Sequence, residues 1–199
     1  MRTLIGPPVH RSRTPRRGRI TRCLGWLWLL LALPGLFSAP AQAQGASADE
    51  YEIRAAMLLN LTRFIDWPAA KLDAGHPQFL VCILGQDPII PFADRFLQNQ
   101  TVDNKPVHVE HLSTLEAAAS CHMLYVGASE RKSLSAASAE LMKNNVLILS
   151  ERSNATSPNQ VIGLPSIDEH VHIEVDLAAA QRSGISFSSK LLRLATVTR

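Results

Sequence analysis

At 199 residues, with 46% hydrophobic and 19% charged side chains, the chain is long enough for one domain with a real core. Its 20 basic and 17 acidic residues give a formal charge of +3, but seven arginines and no acidic residue lie within residues 1–22. Residues 44–199 are left with 13 basic against 17 acidic side chains, or −4, which argues against nucleic-acid binding, since that relies on clustered Lys and Arg facing phosphates.

The arginine-rich start is followed by "CLGWLWLLLALPGLF" (23–37), which is continuously apolar but short and broken by Pro34 and Gly35. Small residues Ala41 and Ala43 then form an A-x-A pattern. These three parts predict a secretory signal peptide over residues 1–43, cleaved after Ala43. The expected mature chain, 44–199, is exported and keeps two of the three cysteines, Cys82 and Cys121. Two cysteines in an exported chain most often form one disulfide. Two buried free thiols, or redox or metal chemistry, are the alternatives.

Residues 48–68 read as a helix, with Asp49 and Glu50 at its positive end and Pro68 stopping it after Trp67. Its apolar positions cover most of the circumference, with Arg54, Asn60 and Arg63 as the polar side. "QFLVCIL" (78–84) reads as a buried strand, residues 87–98 as a helix, and "KPVHVEHL" (105–112) as an alternating strand. A short helix over 113–121, capped by Ser113 with Glu116 three residues on, precedes a buried strand at 122–127. An amphipathic helix over 129–145 leads to the strand "VLILS" (146–150) and a polar loop at 153–160. Residues 161–167 and 170–177 read as a strand pair turning at Asp168-Glu169. A short helix at 176–184 and a last helix or extended segment at 186–197 complete the chain. Strands that are apolar throughout, alternating with helices, predict a compact single α/β domain, its sheet mostly parallel with helices on both faces.

No phosphate-binding glycine loop and no G-x-S-x-G elbow is present, and Gly85-Gln86-Asp87 lacks the further glycines. The carboxylates fall mostly at element ends, where they cap helices or face solvent. No catalytic residue and no cofactor is expected. His170 and His172 flank Val171 and share one strand face; His108 and His111 with Glu110, and His122, form further groups. They would make a metal site only if their strands were adjacent, and an edge strand's solvated face explains the same pattern, so no metal is assigned. "RFIDWP" (63–68) offers Phe64 and Trp67 as an aromatic partner contact or as a plug for the core.

The ordered set "AAMLLNLTRFIDWP", "FLVCILGQDP", "KPVHVEHL", "CHMLYVG", "VLILSE" and "VHIEVDLAAAQRSGISFSSKLLRLA" resembles the YfiR-like periplasmic proteins, over roughly residues 50–196. The resemblance implies a regulator that binds the periplasmic sensor domain of an inner-membrane diguanylate cyclase and represses it, lowering cyclic di-GMP and biofilm formation. It also implies an OmpA-like outer-membrane lipoprotein that sequesters the repressor, and a disulfide between Cys82 and Cys121. A homodimer is a further expectation. Some members carry a second, later cysteine pair; here the matching stretch is about "SERSNATSPNQ", so no redox response built on a second bridge is expected. The alternative readings are a periplasmic small-ligand or metal-binding module and, last, an exported enzyme.

Overall fold

Ser47 starts the first helix, its hydroxyl accepting the Glu50 N–H at 3.3 Å. This helix, α1 (Ala48–Thr62), buries Ala55, Leu58 and Leu61. It stops five residues short of Trp67, because Ile65–Asp66 (β1) turns away to pair antiparallel with Ser186–Phe187. The computed structural model describes residues 47–73, 75–154 and 160–198, so the signal-peptide reading of residues 1–43 lies outside the described residues.

After a one-turn helix, α2 (Ala69–Leu72), come β2 (Phe79–Leu84), α3 (Ile90–Leu97), β3 (Thr101–Val102) and β4 (Lys105–Leu112). A 3-10 turn (Glu116–Ser120) leads to β5 (Met123–Val126), α4 (Arg131–Lys143) and β6 (Leu147–Ser150). Then follow β7 (Ile162–Gly163), β8 (Ser166–Ile167), β9 (His170–Val171), β10 (Glu174–Asp176), α5 (Leu177–Arg182), β11 (Ser186–Phe187), α6 (Ser189–Leu194) and β12 (Thr196–Thr198).

Eight strands form one sheet in the order β12-β10-β7-β6-β5-β2-β4-β3. The run β4-β2-β5-β6-β7 is parallel throughout. Numbered along the chain, these five strands stand in the order 2-1-3-4-5, that of a doubly wound α/β sheet. Every residue of β5 and β6, and all but Leu80 of β2, is buried; strands covered on both faces need no apolar-polar alternation. The mostly parallel α/β fold expected from the sequence is the one observed.

Three local expectations are corrected. The 113–121 segment is a 3-10 turn preceded by Leu115 with no side-chain cap, so Ser113 does not cap it. The 161–167 and 170–177 pair splits in two. Val175 faces Ile162 in the large sheet, while Ser166–Ile167 and His170–Val171 form a separate hairpin. Leu164 N–H is drawn to Ser150 O at 2.9 Å, and Pro165, with no N–H to give, interrupts the ladder. The last segment is neither all helix nor all extended: β11, α6 and β12 follow one another, and β12 lies parallel on β10 as an edge strand.

Candidate functional site

β2 and β5 are neighbours at the point where the strand order reverses, and both ends of the pair carry polar side chains. At the amino ends, Leu80 N–H donates to His122 Nδ1 at 3.1 Å, and His122 N–H donates to Leu80 O at 3.0 Å. The fully buried His122 ring stacks on Phe79, centroids 4.6 Å apart, and Trp67 meets Phe79 edge-on at 5.1 Å. Lys71 is also buried and donates to Ala119 O at 2.9 Å, while Lys105 donates to His76 O at 2.7 Å. Because Nδ1 accepts a backbone N–H, the ring must be neutral with its proton on Nε2.

Burial, with Lys71, His76 and Lys105 close by, pushes His122 down to about 4. Burial alone pushes Lys71 down to about 8. In the unfolded chain His122 takes a proton near 6.5, so between these two values the unfolded state binds more protons. Stability therefore falls as pH drops from about 6.5 to about 4, by up to about 3 kcal/mol from this group. Urea unfolding from pH 7 to 4 measures it: His122→Gln, which keeps an acceptor for Leu80 N–H but does not titrate, flattens that part of the profile. An equally steep profile in the variant would remove His122 as the cause.

The disulfide lies against this cluster. Cys82 in the middle of β2 is bonded to Cys121, the residue closing the 3-10 turn, with Cα atoms 6.0 Å apart. Both residues are fully buried, so the bridge is shielded from attacking thiolates and ties the entry of β5 to its neighbour strand. Trp67, 9% exposed, belongs to the core, whereas Phe64 is half-buried with Lys190 Nζ 5.5 Å from its ring centre.

At the carboxyl ends, the sequence reading placed Arg54 on a polar face; the structure buries it to 2% exposure. Its Nε donates to Leu164 O at 3.1 Å and its Nη2 to Ser166 Oγ at 2.9 Å and Glu50 at 3.2 Å. Ser166 Oγ in turn donates to Glu50, which holds that carboxyl below its usual range. The helix is thus fastened to the β8–β9 hairpin. Asp87 accepts N–H bonds from Ile89 at 3.0 Å and Ala128 at 3.3 Å, joining the loops after β2 and β5. Burial still holds its carboxyl above the usual range.

The histidine groups do not converge. β9 is paired only with β8, and β2 separates β4 from β5. His170 and His172 are exposed, and His111 pairs with Asp94 at 3.0 Å. Among the described residues no three His, Cys, Asp or Glu side chains gather as metal ligands do. Sequence reasoning missed Lys71 and the buried Arg54, and neither carries a local signal.

A disulfide-pinned parallel sheet of this order, preceded by the Trp67-Pro68 segment, can be compared with known families. The family described as YfiR/HmsC-like matches residues 51–196. The chain belongs to the YfiR/HmsC-like family. Membership supports, in general terms, a periplasmic regulator of diguanylate cyclase. No curated protein matches the chain. Among the described residues, no helix of this YfiR/HmsC-like protein is long and apolar enough to cross a membrane.

Proposed function

We propose that this protein is exported with residues 1–43 removed, and that it binds and represses the sensor domain of an inner-membrane diguanylate cyclase. Repression lowers cyclic di-GMP and biofilm formation. The observation that carries this reading is the YfiR/HmsC-like match over residues 51–196, which takes in nearly all of the folded domain. The polar clusters support it: their charges fasten α1 to the β8–β9 hairpin and one loop to another, the work of a scaffold that presents a surface. Phe64, half-buried at the end of α1, is a proposed contact, with Trp67 acting through the core; an OmpA-like lipoprotein is the proposed competitor for the repressor. Repression by binding needs differential affinity for the inactive and active cyclase, about 2.7 kcal/mol for a hundredfold shift.

The test is intracellular cyclic di-GMP in a strain lacking the gene, beside the complemented strain. A rise reversed by complementation is expected. An unchanged level in several growth conditions would end the cyclase reading.

A further inference from the structure

β3 pairs with only the first two residues of β4, Lys105 and Pro106. The alternation of β4 can be read from two bonds. Val107 N–H turns outward, to Gln100 O at 2.9 Å, while Leu112 C=O turns inward, accepting Gly85 N–H at 2.9 Å. Successive residues of a strand direct their main-chain groups to opposite sides, so Val109 and His111 also turn theirs outward. Among the described residues no strand lies there to receive them.

Above this open edge stands α3, and between the two is an open cleft of about 560 Å³ whose lining mixes apolar Pro91, Leu97, Val107 and Val109 with charged Asp94 and Arg95. On the face of β4 opposite Val107, Val109 and His111, Glu110 is half-buried beside exposed His108, with no ion pair among the described residues.

We propose that this edge is where a partner protein adds an extended strand to the sheet. An unpaired row of alternating donors and acceptors is matched by an extended main chain, and side chains at every second position of that chain enter the cleft, apolar against Val107 and Val109 and polar toward Asp94 and Arg95. Glu110 adds the charge requirement: the incoming strand carries a Lys or Arg facing it. A second copy of this chain is the wrong occupant. Two-fold pairing through residues 109 and 111 centres on Glu110 and sets two like charges opposite each other.

The inference rests on the cyclase reading for the partner's identity, so the probe is a purified periplasmic domain of the membrane diguanylate cyclase. Val109→Pro removes an outward N–H together with a side chain of the cleft wall, and Glu110→Lys, which leaves the main chain intact, reverses the charge on a surface strand. Amide hydrogen exchange at Val109 and His111 slows on binding, and each variant weakens binding at least tenfold. Wild-type affinity in both variants, with unchanged exchange at Val109 and His111, overturns the edge and leaves the repressor reading standing. No binding by the wild-type protein overturns both. Slowed exchange that appears without the cyclase domain, growing with protein concentration, overturns the choice of occupant in favour of a second copy.

Discussion

Replacing Cys82 and Cys121 together with alanine lowers the unfolding free energy by about 4 kcal/mol and the melting temperature by roughly 10 °C. The bridge spans a sequence separation of 39, and releasing a loop of that size restores conformational entropy to the unfolded chain. The lost sulfur atoms add a packing cost, since both residues are fully buried. Urea unfolding of wild type and double variant measures the difference, and alkylation without reductant, read by mass spectrometry, confirms the bridge in the exported protein. A loss under about 1 kcal/mol would show that the parallel sheet holds this region unaided. Two alkylated thiols would remove the bridge itself.

Arg54→Ala costs about 3 kcal/mol, the lower end for breaking a buried charge pair. The guanidinium serves Leu164 O, Ser166 Oγ and Glu50 at once. Removing it leaves the Leu164 carbonyl without this donor and the Glu50 carboxylate with the Ser166 hydroxyl but no countercharge. Glu50 keeps some contact with water, 15% exposed against 2% for Arg54, which holds the loss below the upper end. Arg54→Lys recovers less than half, because one ammonium cannot reproduce a fork of donors pointing in fixed directions. Urea unfolding reads the stability, and hydrogen exchange in the β8–β9 hairpin reads the local release. Exchange there as slow as in wild type would show that the hairpin does not depend on Arg54.

What the sequence revealed, and what it did not, divides by distance along the chain. β2, β5 and β6 are unbroken apolar runs, and such runs are buried wherever they fold. The Asp168-Glu169 turn was equally plain, and both residues take the positive φ of a tight hairpin turn, 50° and 62°. The end of α1 was not legible, because the pairing that competes with helix there comes from Ser186 and Phe187, far along the chain. Arg54 was misplaced for the same reason: a helical pattern sends a lone arginine to solvent, and its partners Leu164 and Ser166 lie 110 and 112 residues away. Of the candidate site, the two cysteines stood out by residue type. The approach of Lys71 to Ala119 and His122 depends on a four-residue helix with no local signature.

The closed ring formed by the disulfide contains α3, β3 and all of β4. The strand edge beneath the cleft is therefore tethered at both of its ends to the same buried point. If β4 lifts from β2, neither end can drift away, and re-pairing in register is a short-range event. A single protease cut between residues 83 and 120 would leave one covalent molecule, separating into two fragments only after reduction.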